Sequence, residues 1–208
     1  MHLPRTFEET RSERLLALIH AHPFATVVVN GEDAPVANAL PLMMSARGTL
    51  QGHVARANAL SRADGMGVLA IFHGPQAHVS ANWYPSRLET GRVVPTWNYA
   101  VVQVQGRLQV VEDPAWLGAH LQALVQRQET GGSPPWRMDD APADYIAQEM
   151  RGIVGLEIEI TAMRGKFKLS QNHPEANRKG VIAGLRNRAR GDDLALADLM
   201  QELGEGSP

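Results

Sequence analysis

FHGPQAHVSANWYPSRLETGRVVPTWNYAVVQVQGRLQVV, Phe72–Val111, decides the reading of this chain. Val102, Val104, Leu108 and Val110 alternate with Gln103, Gln105, Arg107 and Gln109, the period of a strand with one buried face. Gly106 in its middle marks a bend or a close approach. The apolar run Gly67–Phe72 just upstream predicts a central strand buried on both faces. His78–Trp83 is a further strand candidate, and polar Ser86–Gly91 reads as a loop. Trp83, Tyr84, Trp97, Asn98 and Tyr99 crowd the same stretch, in a chain with only 5% aromatic residues. Rings beside hydroxyl and amide groups at strand ends suit a planar ligand, a core or a subunit interface, and the residues alone do not choose.

Upstream, Thr10–His20 predicts a helix, with Thr10 and Glu13 placed as a capping box. Phe24–Val29 is β-branched and apolar, Asn30-Gly31 is a hairpin signal, and Val36–Met44 is the return strand. Pro41 within it implies an edge or a bulge. After a turn at Ser45–Gly48, Leu50, Gly52 and Val54 alternate with Gln51 and His53 as a half-buried strand. A short helix follows from about Asn58.

Downstream, Asp113-Pro114 opens a helix, with Asp as cap and Pro at the first helical position. Trp116, Leu117, Leu121, Leu124 and Val125 form its inner face. Gly131–Pro135 is a loop and Pro142–Met150 a short helix. Gly155–Ile160 alternates as a half-exposed strand, and Lys166–Leu169 is a last short one. From Pro174 the chain is helical, broken at Gly191, with Asp192 placed to cap a final helix through Leu203. Strands come first and last with helices between, and no regular βαβ alternation appears. The pattern predicts a mainly β fold with peripheral helices, an antiparallel sheet closed into a barrel.

The 208 residues favour one domain, with 44% apolar and 20% charged residues. A net charge of −2 gives no global electrostatic case for nucleic acid or an anionic membrane. No apolar run approaches a membrane span and the N-terminus lacks a signal core, so a cytoplasmic protein is expected. The absence of cysteine excludes disulfides, thiolate metal sites and a cysteine nucleophile. None of the eight histidines falls in a metal-binding pattern. His73 and His78 could meet across a turn. No GxSxG elbow, Walker loop or GxGxxG is present.

Three segments carry candidate chemistry. In His53-Val54-Ala55-Arg56-Ala57-Asn58, small residues precede a helix start whose free N–H groups suit an anion, and Arg56 adds a phosphate donor. A capped strand-to-helix turn with a surface arginine explains it equally. In Lys166–Asn172, Lys166 and Lys168 share a strand face, and Ser170, Gln171 and Asn172 can donate to phosphate or ring carbonyls. Pro95–Tyr99 offers ring stacking, against ordinary core or interface packing. Arg178, Lys179, Arg186, Arg188 and Arg190 form a charged helix surface, and no helix-turn-helix stands out.

The blocks HPFATVVV, GHVARAN, FHGPQAHVSANWYPSR, VVPTWNYAVVQVQGRL, GIVGLEIEI, GKFKLSQN and ANRKGVIAGL, in this order, resemble the PaiB family, described as FMN-binding negative transcriptional regulators. Asn177 departs from the aspartate expected before Arg178. The resemblance implies an FMN-binding split β-barrel of antiparallel Greek-key type over residues 1–185, with a C-terminal helical extension over 186–208. It implies FMN as cofactor, held between the subunits of a homodimer. By position, Arg56 and Asn58 would bind the phosphate, with His53 and Ala55 near the ribityl chain or ring. Thr96, Trp97 and Asn98 would face the ring, and Lys168, Ser170, Gln171 and Asn172 would complete the pocket. Trp83 and Tyr84 are expected at subunit packing. A repressor role, with DNA as partner, rests on the resemblance alone. An FMN-dependent oxidoreductase using a nicotinamide donor is the alternative.

Overall fold

The computed structural model describes residues 1–131 and 134–205. The loop expected over Gly131–Pro135 and the end of the expected 186–208 extension fall partly outside the described residues. Eight strands form one sheet in the order β3-β2-β6-β7-β8-β5-β4, with β1 (Glu8–Glu9) paired to β8. The remaining strands are β2 (Phe24–Asn30), β3 (Pro35–Pro41), β4 (Met43–Met44), β5 (Leu50–Ala55), β6 (Gly67–Val79), β7 (Thr96–Val111) and β8 (Ile153–Lys168). β2 and β3 form the expected antiparallel hairpin, registered from Phe24↔Pro41 to Asn30↔Pro35. Its loop is longer than Asn30-Gly31 suggests, because Gly31 N–H bonds the Ala34 carbonyl at 3.1 Å. Pro41 ends β3, which lies at the edge of the sheet, where a missing N–H costs least.

The long strands differ most from expectation. Gly67–Phe72 and His78–Val79 belong to one strand, β6, which carries Gly74-Pro75 within it. It is not covered on both faces: Val68, Ala70 and Phe72 are buried while Leu69 and Ile71 are half-buried. His73 and His78 therefore do not meet across a turn, since five residues of extended chain separate them by about 16 Å. Gly155–Ile160 and Lys166–Lys168 likewise merge into β8, whose residues 154–158 are buried on both faces rather than alternating.

Among the described residues six α-helices flank the strands: α1 (Ser12–Ala21), α2 (Ser86–Thr90), α3 (Pro114–Gln128), α4 (Ala143–Arg151), α5 (Glu175–Arg188) and α6 (Asp193–Glu205). α1 begins two residues later than Thr10, and the Glu9 carboxylate takes the Arg11 N–H at 3.0 Å. The Ser86–Gly91 stretch is not a loop but one helical turn, ended by Gly91 at a left-handed φ of 65° that glycine adopts freely. Asp113 caps α3 as expected, accepting from Ala115 N–H at 3.0 Å. Among the described residues no helix is long and apolar enough to cross a membrane.

Contacts divide the chain into two compact units. The first takes residues 1–18, 73–102 and the chain from Arg164. Its core includes Val79, Tyr84, Phe167, Leu169, Val181, Leu185, Leu196 and Met200. Trp83 lies in a notch of α5: a Cβ on Gly184 would stand 2.3 Å from its ring, and one on Gly180 2.1 Å from its carbonyl. Arg188 covers the other side, 4.7 Å from the ring centroid. Tyr84 is thus buried inside its own unit, which corrects the expectation of subunit packing for it, while Trp83 is half-buried against α5. Asn177, the departure from the resembled pattern, is buried and bonds Ser86 Oγ at 2.8 Å.

The second unit takes Ile19–Phe72 and Gln103–Met163, with Val27, Leu50, Leu60, Phe72, Val104, Leu108, Leu156 and Ile158 in its core. Here α3 lays Trp116 onto Gly155 of β8, where an added Cβ would fall 2.2 Å from the ring. Gly155→Ala should destabilise the protein by about 1–3 kcal/mol through overpacking. Gly118→Ala, at a half-buried helix position whose added Cβ would meet only Met150 Cε at 3.7 Å, should stabilise it by about 0.5–1 kcal/mol. Urea midpoints of the two variants, moving in opposite directions, check this.

Candidate functional site

In the first unit the expected site residues assemble around the start of β7 and the end of β8. Lys168 donates to the Thr96 hydroxyl and, at 2.7 Å, to the Trp97 carbonyl. The next turn places Ser170 at φ 63°, a left-handed conformation that costs a non-glycine residue about 1–2 kcal/mol. Several contacts hold it there. Asn98 Nδ2 donates to Ser170 Oγ at 2.9 Å, with both residues buried. Leu169 N–H bonds Gln171 Oε1 at 2.6 Å, Gln171 Nε2 donates to the Phe167 carbonyl, and His173 N–H bonds the Ser170 carbonyl at 3.0 Å. His173 stacks on Tyr84 with centroids 4.9 Å apart.

This geometry sorts the candidates. Trp97 presents an open ring, 49% exposed, with His78 edge-on at 6.1 Å. Asn98 and Ser170 are buried supports, and the Asn98 Oδ1 is buried with no partner. Gln171 is spent on its own turn, while Asn172 is exposed. Burial, and then the charge of Lys166, lower the Lys168 ammonium below its ordinary value. Burial, and then Lys168, lower His173. Burial pushes the Tyr84 hydroxyl up, opposed by its neighbour Ser170.

The second unit holds His53, Ala55, Arg56 and Asn58 on β5 and the turn after it. Arg56 Nε donates to the Arg151 carbonyl at 2.8 Å, and its Nη1 lies 3.5 Å from Glu112. Its side chain is 47% exposed, so the outer guanidinium edge can still meet an anion. The helix expected near Asn58 is a single 3-10 turn, Ala59–Arg62, and Asn58 Oδ1 already takes the Leu60 N–H at 2.9 Å. Asn58 therefore caps, and four residues supply little helix dipole for a phosphate. Ala55 is exposed and offers only backbone.

Two features of this unit are absent from the expected site. His53 Nδ1 lies 3.2 Å from His120 Nε2, and the His120 ring stacks on Trp116 with centroids 5.3 Å apart. His120 is buried and its Nδ1 has no partner. Burial, then the charge of His53, push His120 down to about 4. His53 is lowered by burial, so the pair is neutral at pH 7. The signal lay in helical spacing, since His120 is four residues beyond Trp116 on the inner face of α3. The second feature is Glu157. Expected on a half-exposed strand, it is buried and accepts from Arg47 at 3.0 Å, Thr49 at 2.6 Å and Gln51 at 3.3 Å. Among the described residues no group of three His, Cys, Asp or Glu side chains could hold a metal ion.

Residues 1–162 match the family described as "Putative FMN-binding domain". The chain is 30% identical over 207 residues to protease synthase and sporulation protein PAI 2 of Bacillus subtilis, covering 97% of each chain. It is 33% identical over 186 residues to an uncharacterised protein of Emericella nidulans, covering 76% of this chain and 74% of that one. The flavocytochrome Anf3 of Azotobacter vinelandii superposes with a TM-score of 0.62 at 16% identity, over 80% of this chain and 72% of that one. An FAD- and haem-binding protein of Mycobacterium smegmatis gives 0.59 at 21% identity, over 77% and 73%. At these identities the likeness establishes the fold, that of the flavin-binding split barrels, a mainly antiparallel sheet with flanking helices.

The buried histidine pair predicts a pH dependence. His120 has a folded value of about 4, below the unfolded value near 6.5. Its neutral form favours the folded state, so the contribution is complete above pH 6.5 and is lost as pH falls towards 4. The loss should approach about 2–3 kcal/mol. Urea midpoints between pH 7.5 and 4.5 should fall more steeply for the native chain than for His120→Phe.

Proposed function

The chain belongs to this FMN-binding domain family, and from that premise we propose that it is an FMN-binding regulatory protein working as a homodimer. The observation that carries the reading is similarity to the Bacillus subtilis protein across 97% of both chains, in a relative whose name links it to protease synthesis and sporulation.

The residues fit the cofactor's chemistry. The open edge of the Arg56 guanidinium suits a phosphate monoester. The exposed Trp97 ring and the Lys168 ammonium suit a planar ring system with carbonyl oxygens. Bound FMN would supply reversible hydride and electron transfer, which makes it a natural sensor of redox state. Asn98 and Ser170 serve by holding the strand ends that present these groups.

Charge argues that regulation does not run through broad contact with DNA. The net charge is −2. The C-terminal cations Lys179, Arg186 and Arg188 are paired with Glu175, Asp198 and Asp193. These pairs reduce the basic surface that this face offers for the counterion release that drives DNA binding. A second reading, an FMN-dependent oxidoreductase using a nicotinamide donor, is favoured by Lys168. Its amine is lowered below its ordinary value and holds the Thr96 hydroxyl and the Trp97 carbonyl, where a proton could be passed along.

Purified protein should bind FMN at one per chain, and Arg56→Ala should weaken uptake at least about tenfold in a fluorescence titration. Protein that stays colourless and takes up no FMN would defeat the reading. At low salt, a shift of promoter fragments that disappears on adding salt would establish direct DNA contact. Anaerobic bleaching of the bound flavin by NADH, faster than that of free FMN, would favour the enzyme over the regulator.

A further inference from the structure

The sequence makes Arg178, Lys179, Arg186, Arg188 and Arg190 a charged helix surface, and the structure separates one of them from the rest. Lys179 meets Glu175 at 2.6 Å, Arg186 meets Asp198 at 3.0 Å and Gln201 at 2.7 Å, and Arg188 clasps Asp193. Among the described residues no carboxylate pairs with Arg178. Its Nη2 reaches only the Met200 carbonyl, at 3.4 Å, and its Nε is buried with no acceptor. A guanidinium carries five N–H donors, and taking them from water without an anion is costly. The space for it is built in: a Cβ on Gly204 would stand 2.6 Å from Arg178 Nη2, so α6 is notched where the guanidinium lies.

Beside this group, between α5 and α6, lies a cavity of about 740 Å³. Ile182, Ala183 and Met200 line it with apolar surface, and Glu175, Arg178, Lys179 and Arg186 stand around it. Its volume falls in the range of small-molecule sites, which are apolar with a few polar groups that fix orientation. Lys179 and Arg186 already have partners, and Glu175, engaged by Lys179, reaches Arg178 only through space, so among the described residues Arg178 is the cavity's one cation without an ion pair. We propose that it binds a small amphipathic monocarboxylate, with the carboxylate on Arg178 and the hydrocarbon body along Ile182, Ala183 and Met200. The planar fork of arginine matches a carboxylate, and a singly charged head balances the site. The site draws on no residue assigned to flavin and stands independently of that reading.

Titration calorimetry of the full chain with octanoate tests it. The expected result is a Kd below about 1 mM, weakened at least about tenfold by Arg178→Met and at least about tenfold on replacing octanoate with 1-octanol. Ala183→Trp, which fills the cavity and leaves Arg178 in place, should weaken binding equally; it decides alone if Arg178→Met does not fold by circular dichroism. No binding by the full chain, equal binding of octanol, or binding untouched by Ala183→Trp overturns the proposal. A shortened chain ending at Glu205 that binds octanoate when the full chain does not also overturns it, and assigns the cavity to the chain's own last residues.

Discussion

Each compact unit is built around a carboxylate removed from water. Such a group is tolerable only when several donors converge on it, and that requirement fixes the elements carrying them. In the second unit Glu157 is 8% exposed and draws in Arg47, Thr49 and Gln51, which fixes the Ser45–Thr49 turn against β8. In the first, Asp193 is 1% exposed and takes both Arg188 nitrogens and the Arg190 N–H. Arg188 donation and the Arg190 N–H hold the Asp193 carboxyl below its usual range against the opposing effect of burial. The pair closes the link between α5 and α6 and sets Arg188 over Trp83, which in turn sits in the glycine notch of α5. Removing Glu157 would leave Arg47 without its carboxylate and the Ser45–Thr49 turn unanchored, and removing Asp193 would loosen the link between α5 and α6.

Much of the fold was legible because local periodicity and burial agreed. The alternation after Val102 marked β7, the Asp113-Pro114 cap marked α3, and the Asn30-Gly31 signal marked the β2–β3 hairpin. The misreadings arose where burial did not follow local pattern. Glu157 looks solvent-facing by alternation, yet its partners are more than a hundred residues away in the chain and cover it. Gly155 breaks a strand pattern by itself, but Trp116 fills the space of its missing side chain. Gly74-Pro75 looked like a strand end, and β6 runs through it. Such outcomes depend on tertiary partners, which no window of sequence contains.

The candidate site was legible as a set of residue types and less so as roles. Arg56 and Trp97 keep exposed groups, while Lys168 holds the Thr96 hydroxyl and the Trp97 carbonyl. Asn98, Ser170 and Asn58 instead turn inward and act as supports. Ser170 illustrates why. Its left-handed backbone is held by neighbours on either side, an arrangement that no residue-type rule anticipates. The His53–His120 contact was hidden for the opposite reason, since each histidine is unremarkable until the fold joins β5 to α3.

The ends of the strand order carry a last consequence. β3 is bracketed by Pro35 and Pro41, neither of which has an N–H to offer, and β4 at the other end has only two residues. An incoming extended segment finds few ladder positions on either strand. Neither end strand therefore offers much of a template for an added strand. The same two prolines that trim a hairpin thus act as a brake on templated β-growth at that edge.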